Sequence, residues 1–418
     1  MNAIVRQTKS INGIIRIGGS KNAALPIIAA SILTKEKVIL KNVPNISDID
    51  DLINILRKIN VTVLRCDDKL IIQRENKIKS TILMDEVKRI RGSIYLLPVI
   101  LLLRKKVLSR YPGGCNFGKR PIDYHLMAFK EMNVKIIDTE SKIKLKAKKV
   151  KKANITFPKK TLGGTINAIV LALFSKGETI INNPSFEPEV LDTISFLNSM
   201  GGNIRVLHDK IIIKGVRKLT GTTYKIMSDR IEASSYLFLA TTIKQSNITI
   251  CNVDPKLLKN ELAIIEKCGL QIKKGYQKIT VINKGDYKEN SIKIIAGNYP
   301  AVSTDLQQVI TPLLFNLKKE SIVIDTIYKD RTKHVDELKK LNGKLEIIPG
   351  ENLIIKVSPS NLVGTDINGV DLRGTFGLIL AAGIAKGETR IKGIDNVLRG
   401  YEDVINKLQK IGFKISIE

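Results

Sequence analysis

The stretch Lys176-Gly177-Glu178-Thr179-Ile180-Ile181 returns almost unchanged as Lys386-Gly387-Glu388-Thr389-Arg390-Ile391 in this chain of 418 residues. Each copy reads as a lysine-containing turn followed by a short strand, because glycine is typical of tight turns and β-branched residues favour strands. Further copies of this turn-and-strand pattern begin at Lys35, Lys105, Lys244 and Lys318. The copies follow one another about every 70 residues, so the chain is predicted to repeat one structural unit six times.

The residues around each turn complete the unit. An apolar helix rich in small residues precedes the turn, and a polar loop, a second helix and another strand follow the first strand. The second helices have amphipathic spacing and end near glycine, as in 190–200 before Gly201 and 401–411 before Gly412. This order predicts a mixed α/β fold with helices packed on sheet faces.

The length of the chain favours two domains over one. Three repeats per domain place the division near Arg230, with a first domain at 20–229 and a second at 1–19 plus 230–418. The first residues read as two strands, Ala3 to Val5 and Gly13 to Ile17. Those strands could complete a sheet in either half.

Composition limits the function classes. The net charge of +29 suggests a nucleic acid or an anionic membrane as partner. The charge could equally reflect a general abundance of lysine, isoleucine and asparagine along the whole chain, or anionic substrates, which need only a local basic pocket. Because tryptophan is absent and no basic stripe is interleaved with aromatic residues, no nucleic acid partner is expected.

Membrane, metal and disulfide chemistry are not expected either. The longest apolar run, 94–103, is too short to span a bilayer, and the N-terminal residues lack the apolar core of a signal peptide. The predicted location is therefore the cytoplasm. The four cysteines show no CxxC spacing and the three histidines are far apart in sequence, so no metal site is predicted.

The segment from Arg110 to His125 carries the strongest chemical signal. Gly113, Gly114 and Gly118 give it backbone freedom between two prolines, as in a movable lid. Cys115 lies within it, close to Lys119 and Arg120. Neighbouring cations favour a thiolate and attract anions, so this cysteine is predicted to be functional rather than a buried structural one.

A second signal opens the first repeat helix, at Gly18-Gly19-Ser20-Lys21-Asn22. Ser20 can cap the helix, and the free N–H groups of a helix start attract anions. Alternatively, Lys21 is an ordinary solvated lysine.

Arginine is the third signal, since lysine is the default cation of this chain. An arginine kept beside glycine or carboxylates suggests bidentate binding of phosphate or carboxylate. Such arginines are Arg91, Arg120, Arg230, Arg331, Arg373 and Arg399. Arg230, within Asp229-Arg230-Ile231-Glu232, is expected to form structural salt bridges.

Taken together, these motifs resemble the UDP-N-acetylglucosamine 1-carboxyvinyltransferase family. The resemblance is carried in order along the whole chain by 20–26, 112–115, 120–123, 186–189, 229–232, 304–307, 371–373 and 399–402. It implies two domains that form a pair of inside-out α/β barrels of βαβαββ units, with the active site in the cleft between them. It also implies transfer of the enolpyruvyl group of phosphoenolpyruvate to UDP-N-acetylglucosamine, the first committed step of peptidoglycan precursor synthesis, with no cofactor.

The resemblance also implies roles for individual residues. Cys115 is implied to protonate C3 of the enolpyruvyl group, and Asp305 to accept the proton of the sugar 3′-hydroxyl. The implied phosphoenolpyruvate site comprises Lys21, Asn22, Arg120, Arg373 and Arg399. The implied UDP-sugar site comprises Arg91, Arg120, Pro121, Ile122, Asp123, Tyr124, Lys159, Lys160, Thr161, Leu162, Gly163, Asp305 and Ile327. Gly92 and Leu398 depart from the family pattern, where alanine and aspartate are usual.

Two alternatives remain. A 5-enolpyruvylshikimate-3-phosphate synthase shares the fold and the chemistry, but its loop lacks Pro-Gly-Gly-Cys and its first motif ends in serine where this chain has Asn22. A non-catalytic relative could instead bind UDP-sugar or nucleic acid. The joint presence of Cys115, Asp305 and the arginines argues against that loss of activity.

Overall fold

The computed structural model describes residues 1–75, 77–114, 122–139 and 141–418. Two compact units divide the chain. The first unit comprises 19–114 with 122–227, and the second comprises 1–18 with 228–418. Cys115, Arg120 and Pro121 lie outside the described residues.

Both units combine helices with short strands. The helices are α1 (Lys21–Ala30), α2 (Ser47–Lys58), α3 (Glu86–Arg89), α4 (Leu96–Arg104), α5 (Asp123–Glu131), α6 (Leu162–Ala172), α7 (Pro188–Ser199), α8 (Arg230–Thr242), α9 (Lys259–Lys267), α10 (Gln307–Leu314), α11 (Lys333–Lys340), α12 (Leu372–Ile384) and α13 (Val404–Lys410). Short 3₁₀ helices lie at Ser31–Leu33, Arg91–Tyr95, Pro255–Leu258, Thr304–Leu306 and Ile394–Arg399.

The strands are β1 (Asn2–Arg6), β2 (Ile11–Arg16), β3 (Val38–Lys41), β4 (Val61–Cys66), β5 (Lys69–Arg74), β6 (Thr81–Ile82), β7 (Lys106–Arg110), β8 (Lys135–Asp138), β9 (Lys142–Lys146), β10 (Asn154–Thr156), β11 (Glu178–Asn182), β12 (Ile204–Val206), β13 (Lys210–Lys214), β14 (Thr223–Lys225), β15 (Ser246–Cys251), β16 (Gln271–Gly275), β17 (Lys278–Asn283), β18 (Lys293–Gly297), β19 (Val302–Ser303), β20 (Ser321–Asp325), β21 (Lys344–Ile348), β22 (Leu353–Ser358), β23 (Asp366–Asn368), β24 (Glu388–Lys392) and β25 (Ile415–Ile417).

Within the described ranges these strands form six sheets, three in each unit. The strand orders are β14-β3-β5-β4, β6-β7-β9-β8 and β10-β11-β13-β12 in the first unit. In the second they are β2-β15-β17-β16, β19-β18-β20-β22-β21 and β23-β24-β1-β25.

One pairing pattern recurs in all six sheets. The strand that follows each lysine-containing turn pairs in parallel with one neighbour and antiparallel with the other, as β11 does with β10 and β13. A last strand completes the antiparallel part, as β12 does beside β13. The predicted sixfold repeat is therefore confirmed. The two N-terminal strands both belong to the second unit, because β1 joins β24 and β25 while β2 pairs with β15.

The apolar helices that open the repeats lie inside each unit. In the second unit all thirteen residues of α8 and all eight of α10 are buried, and these helices pack against each other and against α12. In the first unit α4 packs against both α1 and α6. A helix that is apolar on every side is stable only when it is surrounded, so the helices occupy the centre and the sheets lie outside. This is the inside-out α/β arrangement that the family resemblance implies.

The motif at 229–232 has structural roles in the second unit. Asp229 caps α8 by accepting from the N–H groups of Ile231 and Glu232, at 2.9 Å each. Glu232 is buried and pairs with Lys407 at 2.7 Å. Arg230 lies over the ring of Tyr299, with 5.4 Å between the guanidinium carbon and the ring centre.

Among all the helices that the structure describes, none is both long enough and apolar enough to cross a membrane.

Candidate active site

In the second unit, four charged side chains are joined at the starts of α10 and α12. Arg331 is 2% exposed and donates through Nη1 to Asp305 Oδ1 at 2.9 Å and through Nη2 to Asp371 Oδ1 at 3.2 Å. Arg373 Nε lies 3.8 Å from Asp305 Oδ2. Asp305 is the most accessible of the four, with 30% of its side chain exposed.

Local structure fixes each of these groups. Asp305 lies in the 3₁₀ turn before α10, where Ser303 Oγ accepts from its N–H at 3.3 Å. Asp371 caps α12 by accepting from the N–H groups of Arg373 and Gly374. Gln308 Nε2 donates to the other Asp371 oxygen at 3.0 Å. Asp371 therefore ties Arg331, α10 and the start of α12 together.

The charges of this cluster stabilise one another. Burial favours the neutral form of Arg331, but the carboxylates of Asp305 and Asp371 outweigh it and raise the pKa of Arg331. Burial also acts to raise the pKa of Asp371, yet Arg331 and Gln308 lower it below the ordinary value. Asp371 and Arg331 are therefore both charged near neutral pH.

Arg373 is different because its guanidinium is buried without a full set of partners. It is 1% exposed, and none of its three nitrogens has a hydrogen-bond partner among the described residues. Its pKa is nevertheless raised, since Tyr401, Asp229 and Asp305 together outweigh the effect of burial. A charged group in this state is suited to bind an anion.

In the first unit, several residues that the resemblance names lie at helix starts. Lys21 and Asn22 begin α1, which Ser20 caps through its hydroxyl as predicted. Lys21 Nζ pairs with Asp48 at 3.0 Å. Thr161 caps α6 by accepting from Gly164 N–H at 3.2 Å, so Leu162 and Gly163 form its first turn.

The buried side-chain amide of Asn167 links α6 to α5 and to the 3₁₀ helix before α4. Asn167 of α6 donates to the carbonyl of Ile94 at 3.2 Å, and it lies 2.9 Å from Nδ1 of His125 on α5. Burial lowers the pKa of His125 to about 3, with Arg91 contributing, so the ring is neutral. A Cβ at Gly163 would lie 2.7 Å from Cε1 of this ring, so the position requires glycine.

The remaining residues named by the resemblance fall at several places. Arg91 starts the 3₁₀ helix before α4 and donates to the carbonyl of Pro112 at 3.5 Å, while Arg399 ends the 3₁₀ helix before Gly400. Ile122 is buried before α5, and Tyr124 packs edge-on against Phe157. The others are Asp123, which begins α5, exposed Lys159 and Lys160, and Ile327, which is 42% exposed after β20.

Sequence reasoning misses part of this cluster. Arg331 and Asp371 stand out as an arginine and a carboxylate in a lysine-rich chain, but their pattern does not place them in the site. Gln308 gives no signal of its own, and Tyr401 enters only as part of the motif at 399–402, because the partners of both residues are distant in sequence.

Comparison with known proteins covers the whole chain. Residues 5–408 match the family model of EPSP synthase (3-phosphoshikimate 1-carboxyvinyltransferase). A protein of Staphylococcus aureus named UDP-N-acetylglucosamine 1-carboxyvinyltransferase 2 is 35% identical over 99% of this chain and 98% of its own length. A protein of Halothermothrix orenii named UDP-N-acetylglucosamine 1-carboxyvinyltransferase matches at the same identity and coverage. The chain belongs to the UDP-N-acetylglucosamine 1-carboxyvinyltransferase family.

Solved structures share the fold. The enolpyruvyl transferase NikO from Streptomyces tendae is 19% identical and superposes with a TM-score of 0.89 over 99% of this chain and 98% of its own. EPSP synthase from Acinetobacter baumannii is 15% identical, with a TM-score of 0.74 over 100% and 99% of the two chains. The inside-out α/β fold of the enolpyruvyl transferases is thereby confirmed for this member of the family.

One buried carboxylate beside the cluster forms no ion pair with any of the residues that the structure describes. Asp325 accepts through Oδ1 from the N–H groups of Ile327 and Tyr328, while its Oδ2 has no partner among the described residues. Burial raises the pKa of Asp325 to about 6, against the opposing effects of the two N–H donors and Arg331. Its ionised form is therefore costly at neutral pH.

Replacing Asp325 by asparagine tests whether the ionised carboxylate destabilises the folded state at neutral pH. An amide oxygen can still accept from both N–H groups, so Asp325→Asn should be more stable than the wild type at pH 7.5, by on the order of 3 kcal/mol at most. Since the carboxyl pKa is raised in the folded state, the difference should shrink as the pH falls from about 6 and vanish near pH 4. Denaturant unfolding from pH 4 to 8 measures it, with exposed Asp286→Asn as control. A less stable Asp325→Asn at pH 7.5 would contradict the account.

Proposed function

We propose that this chain transfers the enolpyruvyl group of phosphoenolpyruvate to the 3′-hydroxyl of UDP-N-acetylglucosamine and releases phosphate, as the first committed step of peptidoglycan precursor synthesis in the cytoplasm. The observation that carries the proposal is the pairing of a held carboxylate, Asp305, with a buried arginine, Arg373, whose donors lack protein partners among the described residues. The Asp305 carboxylate suits removal of a proton from the sugar hydroxyl, and the Arg373 guanidinium suits binding of an anionic group of phosphoenolpyruvate.

The proposed chemistry is an addition followed by an elimination. In the addition, the sugar hydroxyl oxygen bonds to C2 of phosphoenolpyruvate, its proton passes to Asp305, and C3 receives a proton from Cys115. In the elimination, a proton passes from C3 back to the Cys115 thiolate, the double bond returns, the electron pair of the C2–O bond leaves with phosphate, and Asp305 releases its proton to solvent. The products are an enolpyruvyl ether and inorganic phosphate, so the atoms balance without a redox step.

Asp305 has the surroundings of a general base. Arg331 donates to its Oδ1, which fixes the orientation of the group. Oδ2 accepts no hydrogen bond from Arg373 at 3.8 Å, and the side chain keeps 30% exposure. That exposure leaves the side chain within reach of a substrate hydroxyl.

The cations have roles that follow from substrate charge. Phosphoenolpyruvate carries a carboxylate and a phosphate, and arginine binds either group through paired N–H donors. We assign Arg373, Arg399, Arg120, Lys21 and Asn22 to this substrate. Lys21 and Asn22 also lie at the start of α1, where free N–H groups favour an anion.

The UDP-sugar is assigned to a second group of residues. Thr161, Leu162 and Gly163 form the capped start of α6, where backbone N–H groups suit a diphosphate. Lys159 and Lys160 precede it and add charge. The other residues assigned to this substrate are Arg91, Arg120, Pro121, Ile122, Asp123, Tyr124, Asp305 and Ile327.

An acceptor comparison tests the function. Phosphate release from phosphoenolpyruvate should depend on added UDP-N-acetylglucosamine and should be absent with the donor alone. Release that depends on shikimate 3-phosphate would instead assign the chain to the other branch of the matched family. If neither acceptor supports release, the chain is a non-catalytic relative.

Alkylation tests the role of Cys115. The epoxide fosfomycin should give one adduct, on Cys115, located by mass spectrometry. Exposed Cys66 reports non-specific alkylation, and buried Cys268 should stay unmodified because burial raises the pKa of its thiol to about 12.

Two variants separate proton donation from other roles of the thiol. Cys115→Asp should keep turnover and lose the adduct, since a carboxylic acid can still deliver a proton. Normal turnover in Cys115→Ala would remove Cys115 from the mechanism.

A further inference from the structure

The guanidinium of Arg373 lies over the face of an aromatic ring. Its guanidinium carbon lies 4.6 Å from the ring centre of Tyr401, while its nitrogens have no hydrogen-bond partner among the described residues. A buried guanidinium in this state is costly and is expected only where it serves a purpose. Attraction between a cation and the face of an aromatic ring offsets part of that cost.

The Tyr401 ring is itself fixed on two sides. It stacks on Phe376 of α12, with 4.4 Å between ring centres and an interplanar angle of 14°. Its hydroxyl lies 2.8 Å from Ser235 Oγ on α8. Phe376 in turn packs edge-on against Tyr236 of α8. Two central helices of the second unit therefore determine where the ring face points.

We propose that Tyr401 is a positioning residue for Arg373, and that it leaves the in-plane N–H donors of the guanidinium available to an oxyanion of phosphoenolpyruvate. The proposal rests on the proposed function for the identity of that anion. A carboxylate partner in place of the ring would occupy the same donors that the substrate needs, whereas a ring face occupies none. Asp305, at 3.8 Å from Arg373 Nε, supplies charge without taking a donor.

Removal of the ring should act on one substrate only. Tyr401→Leu should raise the KM for phosphoenolpyruvate about tenfold and leave the KM for UDP-N-acetylglucosamine unchanged, because Arg373 is assigned to phosphoenolpyruvate alone. Tyr401→Phe, which keeps the ring face, should stay close to the wild type. Phe413→Leu is the matched control for lost aromatic packing, since Phe413 is buried in the same unit beside Gly383, at the opposite end of α12 from Arg373.

A fluorinated ring gives a second test if Tyr401→Leu fails to fold. 3,4,5-Trifluorophenylalanine at position 401 keeps a phenylalanine-sized ring but weakens the negative potential of its face. Relative to Tyr401→Phe, it should weaken the binding of phosphoenolpyruvate several-fold at unchanged thermal stability. Calorimetric titration of phosphoenolpyruvate in the absence of UDP-N-acetylglucosamine measures this binding without turnover.

The outcomes separate this proposal from the proposed function. UDP-N-acetylglucosamine-dependent phosphate release by the wild type, together with equal phosphoenolpyruvate binding by the phenylalanine and trifluorophenylalanine variants, would overturn the role of Tyr401 alone. The role of Tyr401 would also be overturned if Tyr401→Leu and Phe413→Leu raised the KM for phosphoenolpyruvate and the KM for UDP-N-acetylglucosamine by equal factors. That result would show a general structural effect. Failure of the wild type with UDP-N-acetylglucosamine would overturn the proposed function, while the calorimetric comparison would still decide whether the ring holds an anion-binding arginine.

Discussion

The double ion pair of Arg331 is the interaction on which the charged part of the second unit depends. A guanidinium that is 2% exposed must be compensated, and Asp305 and Asp371 compensate it from two different helix starts. Loss of either carboxylate would remove one of the two carboxylates that pair with this buried charge. The same contacts orient Asp305 and place Asp371 where it caps α12, so the position of Arg373 at residue two of that helix follows from them.

The inside-out arrangement accounts for the gathering of the chemistry at helix starts. Helices that are buried on all sides can expose polar groups only at their ends, and their first N–H groups need acceptors. Ser20, Thr161, Asp229 and Asp371 supply those acceptors at α1, α6, α8 and α12. Lys21 and Arg373 lie within the first two residues of their helices, where the helix dipole favours an anionic ligand.

Much of the fold could be predicted because each repeat has a local signature. The turn before β11 places Gly177 at φ +103°, and the turn before β24 places Gly387 at φ +92°, so the glycines that reveal the repeat are required by the backbone. Arg373 can be found because arginine is uncommon in this chain. Gln308 and Tyr401 cannot be found that way, since their contacts with Asp371 and Ser235 depend on tertiary packing. The roles that the resemblance implies for the site residues stay predictions, and three of those residues, Cys115, Arg120 and Pro121, lie outside the described residues.

The central claim is that Arg331 holds Asp305 as the base that removes the proton from the sugar hydroxyl. The most direct test compares turnover and UDP-N-acetylglucosamine binding in Asp305→Asn, whose amide can hydrogen-bond but cannot accept that proton at neutral pH. The account predicts a fall in kcat on the order of 10² to 10⁴, with binding of the UDP-sugar retained. A kcat near that of the wild type, with the amide confirmed by mass spectrometry, would contradict it.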